Sequence, residues 1–537
     1  MFPFDPRGAN EKGFPWETNY ARINPEYFNA ADERIRYLVE KGFTPCIVGA
    51  WGYFLPWMGV EKAKQHWRNL VARYGAWPVV WCVAGENNLP WYLAKNFPYD
   101  DREQVHGWTE VARYLRATDP FQRLMTIHPT GLGKLNARGT IDDAALLDFD
   151  MLQTPHGQRD AVAPTVAACE NAFNLKPAMP MLSGEASYEM LSDQIPAQWS
   201  RAMFWLCMMN GAAGHTYGAN GIWQCNRREQ PHGPSPHHNG GVGYGKISWD
   251  DAMRLPGSQQ IGDAKKFLEK FPWQKCVPQP ESVAWAPAKK VEWKNWIWFP
   301  EGEPAQDAPI APRFFRLKFA LPYSAAELKR ATLHVGVDNR ATIWLDAKKI
   351  GECSGWEPPQ QFDITEAIGP RNNTIAIRAE NLSAPVKLNP AGLILSLQCE
   401  FADGKTFFIH SDSEWRASRE EIKNWQWFNF DDSNWPRAKV VAPFGGGPWG
   451  KFDNIPSAGA PFAIGVEDQL RMIYSLEPRP VIVKNLRPNA NYRLTRFNPG
   501  NGQREKETRI VADQHGQWLC PDPGYGGDWV MALVHEK

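Results

Sequence analysis

The sequence has no net charge: 59 Lys and Arg stand against 59 Asp and Glu in 537 residues. That balance removes the electrostatic reason to expect nucleic acid or an anionic membrane as partner. No apolar run is long enough to cross a bilayer, so no membrane insertion is expected. The opening stretch, MFPFDPRGANEKGF, lacks the basic and apolar regions of a signal peptide, and no export signal is read from it. Nine cysteines fall without CxxC pairs or His/Cys ligand spacing, which argues against a disulfide framework and against a zinc site. No strand candidate leads into GxGxxG or a GxxxxGK loop, so a nucleotide-binding sheet has no support, and no cofactor is called for. What is plentiful is aromatic: 26 Trp, 27 Phe and 15 Tyr. Most such rings fill cores, but exposed ones also stack on the C–H faces of sugars.

Length alone predicts two to four domains. The chain changes character near residue 275. Before it, apolar runs alternate with helical patterns; after it, short strand-like segments dominate. The first helix is expected from Asn24 as cap and Pro25 in the first turn, with Phe28, Ala31, Ile35 and Leu38 as its apolar stripe and Gly42 as its stop. A second carries Val60, Ala63, Trp67, Leu70 and Tyr74, a third Val105, Trp108, Ala112 and Leu115, and another Trp199, Met203, Leu206 and Met209. Between them lie apolar strand candidates at 44–50, 79–84, 124–127, 150–154, 180–183 and 212–216. Such alternation indicates parallel βα units.

The strand ends decide between a doubly wound sheet and a barrel. They carry Trp51 and Tyr53, Glu86-Asn87-Asn88, His128, Gln153 and His156, Glu185, then His215, Tyr217 and Trp223. In a (β/α)8-type TIM barrel all such positions converge on one face, where active sites sit. Six successive strands delivering polar and aromatic groups are hard to explain as core packing, so the barrel is the better reading. Glu86 in WCVAGENN and Glu185 in MLSGEASYE each follow a Gly at the end of a buried strand. Counted back from the 212–216 strand as the eighth, they end strands four and seven. Two convergent carboxyl groups suit glycosidic bond cleavage, one protonating the leaving oxygen while the other attacks or activates water. A single Glu so placed could equally cap a helix or pair with an Arg; two in matched settings make that reading weaker. His128 reads equally as a satisfied strand-end histidine or a substrate contact. Cys82 and Cys207 read as core. His232, His237 and His238, in PHGPSPHHNGG, read as a loop over the active site rather than a metal site.

The segments INPEYFNAADERIRYLVEKGF, ARYGAWPVVWCVAGE, DFDMLQTPHG, PMLSGEASYE and GAAGHTYGANGIWQ are spread over almost all of the front half, from Asn24 to about Trp273. This stretch resembles the apiosidase-like glycoside hydrolases, family 140 of clan A. The resemblance implies a barrel with the acid/base ending strand four and the nucleophile ending strand seven. Carried onto this chain, Glu86 is the acid/base and Glu185 the nucleophile, with Gln153, His156, Tyr217 and Trp223 lining the sugar subsite. Trp51, Asn87, His128, Tyr188 and His215 complete the expected substrate-binding set, Tyr188 within reach of the nucleophile. The resemblance also implies a retaining reaction, an oligosaccharide or polysaccharide of plant or algal origin as substrate, and a periplasmic or extracellular bacterial setting.

There are two departures. Many clan members have Asn immediately before the acid/base, where this chain has Gly85, with Asn87 following. Family members also begin with two further βα units before the segment matching residues 1–28. The expectation is therefore six parallel strands, with the edge of the 44–50 strand open. A truncated barrel would admit a different function, that of a non-catalytic carbohydrate-binding protein; the intact Glu86–Glu185 pair favours hydrolysis.

In the second half, FFRLKFALP, ATLHVGVDN, ATIWLDAKKIG, NTIAIRAEN and LILSLQCEF alternate apolar and polar residues between turns, as antiparallel strands do. With SDSEWRAS and FDDSNWPRAK they resemble the galactose-binding-like jelly rolls of family 2 glycosidases and α-L-rhamnosidases. The expected division is a barrel over 1–275, an inserted jelly roll over 293–452 that braces more than it binds, and a terminal β-sandwich made of 276–292 with 453–537. PQPESVAW would be the first strand of that terminal sandwich. Nothing in the sequence indicates an oligomeric state.

Overall fold

The computed structural model describes residues 9–89, 101–131, 133–223, 225–229, 245–286, 291–322, 327–357, 359–369, 372–384, 386–451 and 460–536. The His232, His237 and His238 loop and the first eight residues lie outside them. The front of the chain alternates helix and strand. Asn24 caps α1 (Pro25–Glu40), its side chain accepting the Glu26 N–H. There follow β1 (Cys46–Val48), α2 (Leu55–Tyr74), β2 (Val80–Cys82), α3 (Arg102–Thr118), β3 (Met125–Thr126), β4 (Asp150–Gln153), α4 (Val162–Asn174), β5 (Met181–Glu185), α5 (Ala197–Met209), β6 (Gly214–His215), α6 (Trp249–Ala252) and α7 (Pro256–Leu268).

The six strands are parallel, in two ladders ordered β1-β2-β3 and β4-β5-β6. Asp148 N–H donates to the Met125 carbonyl and Thr126 Oγ1 to the Phe149 carbonyl, both at 2.8 Å, so β3 runs beside the start of β4. Spatial order thus follows chain order, without the reversal that marks a doubly wound sheet. Among the described residues β1 pairs only with β2, and the segment before α1 holds a short 3-10 helix, Thr18–Tyr20, and makes β pairings only as isolated bridges, Asn10 with Gly13 and Trp16 with Ile23.

Helices α2 and α3 bury the faces their periodicity predicts, with Trp67, Trp108, Val111, Ala112 and Leu115 all inaccessible or nearly so. Helix α1 does not. It buries only Phe28 and Ala30, while Leu38, expected on the inner stripe, is 40% exposed and Tyr37 more so. The reason is its neighbour: β1 is an edge strand whose residues are themselves exposed or half-buried, so the second half of α1 has little to pack on.

Where three domains are expected from the sequence, the chain forms two compact units: Met1–Ala286 with Ala458–Lys537, and Pro287–Ser457. In the first, β7 (Val277–Pro278) and β8 (Val283–Trp285) leave the helical half and join the terminal strands. The second unit is a sandwich of β9 (Asn295–Trp298), β10 (Pro312–Ala320), β11 (Leu328–Asp338), β12 (Arg340–Leu345), β13 (Lys348–Ser354), β14 (Gln360–Asp363), β15 (Asn372–Glu380), β16 (Gly392–Phe401), β17 (Thr406–His410), β18 (Arg416–Ser418) and β19 (Lys439–Pro443). Its sheets run β13-β12-β15-β10-β18 and β14-β11-β16-β9-β19, with β17 alongside β16. Their inner faces meet in one core containing Trp298, Phe315, Leu333, Ile377, Leu395 and Trp415.

The chain then returns to the first unit through β20 (Phe462–Val466), β21 (Leu470–Ser475), β22 (Val481–Val483), β23 (Asn491–Phe497), β24 (Thr508–Val511), β25 (Trp518–Cys520) and β26 (Trp529–His535). β7 pairs with β20 and β8 with β22, which places PQPESVAW in this terminal sandwich. The sandwich and the helical half share a core: Trp205 of α5 stacks on Tyr474, and Phe267 of α7 stacks on Phe497 with ring centroids 4.7 Å apart. That common core makes one unit of the two expected domains.

A buried ion pair ties the two parts further. Arg201 of α5 donates through Nη2 to Asp528 Oδ1 at 2.6 Å and through Nε to both carboxylate oxygens, and Tyr474 OH donates to Asp528 Oδ2. Removing one partner of such a pair leaves the other charge buried without compensation, which costs about 3–5 kcal/mol. Arg201→Met is therefore expected to lower stability on that scale in urea unfolding, and Arg201→Met with Asp528→Asn to recover part of the loss. A double variant no better than the single one would refute this account.

Candidate active site

The ladders continue past the strand ends as single backbone bonds, and these hold the candidate residues. Gly85 N–H donates to the Ala50 carbonyl, His128 N–H to Ala84, Asn87 N–H to His128 and Thr154 N–H to Glu185. Trp51, Glu86, His128, Gln153 and Glu185 are thereby brought together from β1 to β5.

Glu86 lies in a tight turn with φ of +43°, a left-handed conformation that costs a non-glycine residue about 1–3 kcal/mol. The turn is held by Glu86 N–H donating to His128 Nδ1 at 3.3 Å and by Leu89 N–H donating to the Glu86 carbonyl at 2.9 Å. Its carboxylate accepts Trp51 Nε1 on Oε2 at 3.0 Å and Gln153 Nε2 on Oε1 at 3.2 Å. Gly85 is explained by this arrangement, since a Cβ there would lie 2.5 Å from the Trp51 ring. The position at which many clan members carry Asn is here covered by the indole that donates to Glu86.

Glu185 has different company. His156 Nε2 lies 3.1 Å from Oε1, His128 Nε2 lies 3.3 Å from Oε2, and Tyr188 also hydrogen-bonds the carboxylate. Because His128 Nδ1 accepts from Glu86, its ring proton sits on Nε2, toward Glu185. The imidazole is kept neutral by burial, which pushes its pKa below the ordinary histidine value.

These surroundings separate the two carboxyl groups. Burial, reinforced by the nearby charge of Glu185, lifts Glu86 to about 7 against the hydrogen bonds from Trp51 and Gln153. Burial also acts to raise Glu185, but the His156 hydrogen bond, the two imidazoles and Tyr188 outweigh it and hold Glu185 below the usual Glu value. At near-neutral pH Glu86 is substantially protonated and Glu185 ionised, the division of labour that an acid and a nucleophile need.

The family model described as "Apiosidase-like, catalytic domain" matches residues 5–275. The chain belongs to the apiosidase-like family. An alpha-L-rhamnosidase of Streptomyces avermitilis is 37% identical over 191 residues, 34% of this chain and 18% of that protein. A beta-galactosidase of Arthrobacter sp. (strain B7) is 33% identical over 88 residues, 14% of this chain and 9% of that protein. The chain thus spans less than a fifth of the length of these curated relatives. A solved structure titled "Glycoside hydrolase" aligns over 96% of this chain and 79% of its own, with TM-score 0.52 and 16% identity, a likeness of fold. The fold is accordingly that of a multidomain glycosidase with β-sandwich domains.

The other predicted residues of the apiosidase-like domain divide. Beside Glu185, His156 meets the Tyr188 ring edge-on at 5.0 Å, and Tyr188 stacks on Trp223 at 6.3 Å with 28° between the planes. Trp223 is 41% exposed, so this row of rings has an open side. Asn87 is not part of it: its side chain is fully buried and donates to the Thr140 carbonyl at 2.6 Å, because the turn at Glu86 sends the next residue inward. His215 faces α5 rather than the carboxylates, packing edge-on against Phe204 and hydrogen-bonding the Cys207 thiol. Tyr217 donates to Glu189 Oε2 at 2.5 Å, and that carboxylate was absent from the residues singled out in the sequence. Its signal was its place in PMLSGEASYE, four residues after Glu185. Among the described residues, no three His, Cys, Asp or Glu side chains are grouped to hold a metal ion, and no helix is long and apolar enough to cross a membrane.

Proposed function

We propose that this apiosidase-like chain is a retaining glycoside hydrolase, with Glu185 as nucleophile and Glu86 as acid/base at the strand ends of a (β/α) barrel-type domain. The observation that carries this reading is that the strand ends bring together two buried carboxyl groups with opposed surroundings: Glu86, bonded to Trp51 and Gln153 and lifted by burial, and Glu185, flanked by His156 and His128 and held low. The parallel strands in chain order support the barrel assignment.

In the reaction, Glu185 attacks the anomeric carbon while Glu86 passes its proton to the departing glycosidic oxygen. The resulting glycosyl ester is then cleaved by water. Glu86, now a carboxylate, takes the water proton as its oxygen bonds to the anomeric carbon and Glu185 is released. Two displacements retain the anomeric configuration. The rings of Tyr188 and Trp223 offer a wall for the C–H face of the sugar, and Gln153 and His156 offer polar contacts. The substrate is a side chain of a plant or algal polysaccharide. The second unit is a galactose-binding-like sandwich that serves as a brace, and the protein works in the periplasm or outside the cell.

A screen of aryl glycosides and complex polysaccharides identifies the substrate, and proton NMR then follows the first-formed anomer. Retained configuration is the expected outcome. An inverted product would exclude Glu185 as nucleophile, since inversion requires the second carboxylate to activate water instead.

A further inference from the structure

Glu189 is buried, only 1% exposed, although it carries a carboxylate. One oxygen, Oε2, takes two donors: the Tyr217 hydroxyl at 2.5 Å and the Gly257 N–H, which opens α7, at 3.0 Å. Its backbone joins the same loops, with Glu189 N–H donating to the Gly218 carbonyl and Asn220 N–H to the Glu189 carbonyl. The segments following β5 and β6 are therefore fastened to each other at this residue. The consequence appears at Gly218, where a Cβ would stand 1.7 Å from Tyr188 Cδ1. The Tyr188 ring fills the space that a side chain at 218 would take, and Tyr188 in turn hydrogen-bonds Glu185, meets His156 and stacks on Trp223.

We propose that Glu189 is a positioning residue of the active site: through Tyr217 it fixes the Gly218 backbone on which Tyr188 rests, and so sets the Glu185 carboxylate and the ring wall beside it. This inference rests on the reading of Glu185 as nucleophile. Glu189 touches no reacting atom. It acts along Tyr217, Gly218 and Tyr188, and a loosened Tyr188 withdraws a hydrogen bond from the ionised form of Glu185.

The groups facing Glu185 are His128, His156, Tyr188 and the charge of Glu86; those facing Glu189 are Tyr217, the Gly257 N–H and the charge of Arg201. Tyr188 favours ionised Glu185, so its displacement raises the Glu185 pKa and moves the acidic limb of the pH–rate profile to higher pH. Gln at 189 presents a carbonyl oxygen able to accept both donors; Ala presents none.

The test compares kcat, KM and full pH profiles of the whole chain as wild type, Glu189→Ala, Glu189→Gln and Gly218→Ala. Glu189→Ala is expected to lower kcat roughly 10- to 100-fold, the scale of a small misplacement at a reacting centre, and to raise the acidic limb. Glu189→Gln is expected to stay close to wild type. Gly218→Ala, which puts a methyl where the Tyr188 ring lies, is expected to raise the acidic limb as well. An unmoved acidic limb in both Glu189→Ala and Gly218→Ala overturns the inference, and so does Glu189→Gln behaving like Glu189→Ala. Should Glu189→Ala fail to fold, Gly218→Ala decides alone by the same limb. Glu185→Gln keeps the two levels apart: near-normal turnover there sinks the nucleophile assignment, whereas an inactive Glu185→Gln with unmoved limbs sinks only this inference.

Discussion

Glu185→Gln is expected to leave a folded protein whose hydrolysis falls by roughly four orders of magnitude or more, the scale on which enzymes lose rate when a nucleophile is removed. The amide is nearly isosteric and cannot attack an anomeric carbon, so the loss should lie in kcat, with circular dichroism unchanged. The substitution has a second, independent consequence. The charge of Glu185 is one of the two forces that raise Glu86, the larger being burial. With that charge gone, the Glu86 pKa should fall from about 7 while staying above the ordinary Glu value, because the group remains buried. A carbon-13 NMR titration of the Glu86 carboxyl reads this directly. Near-normal turnover on the true substrate would dispose of the nucleophile assignment. An unmoved Glu86 titration would mean that the two carboxyl groups do not share one electrostatic site.

Much of this arrangement was legible in the sequence, for identifiable reasons. Buried strands read as apolar runs, and each of the six parallel strands overlaps a stretch that the sequence marks as a strand, although β5 runs on to Glu185 and β6 holds only Gly214 and His215. Helices α2 and α3 were legible because a 3.6-residue period survives wherever a helix face is covered. The same period misled at α1, since periodicity records what a helix can bury and says nothing about whether a neighbour is present. The core shared by the helical half and the terminal sandwich was not legible for a related reason. The shift from helical to strand-like pattern near 275 is real, but Trp205 and Phe267 carry no mark naming Tyr474 and Phe497 as the rings they stack on. In the site, two Glu residues after Gly at strand ends were readable, as was the aromatic company of Glu185. Direction within a turn was not. The positive φ of Glu86, the inward course of Asn87 and the rotation of His215 toward Cys207 depend on backbone dihedrals that residue type does not determine. Glu189 escaped notice because a buried carboxylate is recognisable only by its donors, and these come from positions 28 and 68 residues away.

Glu86→Gln tests the other half of the pair, and its pH dependence separates chemistry from folding. In the wild type the basic limb of kcat/KM should lie near pH 7, where Glu86 loses the proton it must give, and the acidic limb should lie below the usual Glu range, where Glu185 becomes protonated. Gln cannot donate that proton. Hydrolysis of substrates with poor leaving groups should fall by about 10²–10⁴-fold, and the basic limb should disappear from whatever activity remains. With an activated aryl leaving group the first displacement needs little acid help, so the glycosyl ester should accumulate, and azide, which needs no general base, should restore turnover. Stability should also fall as pH rises. A carboxyl whose pKa is about 7 when folded and near 4.5 when unfolded stabilises the fold fully below pH 4.5, and that stabilisation is lost as pH rises through 7. The loss amounts to roughly 3 kcal/mol for a shift of this size. Urea unfolding of the wild type should therefore show this decline between pH 4.5 and 7 over and above that of Glu86→Gln, which carries no titrating group there. Wild type and variant with the same pH dependence of stability would mean that Glu86 titrates as an ordinary carboxyl, and the acid/base assignment would lose its electrostatic basis. A basic limb that persists in Glu86→Gln would assign the proton to another group.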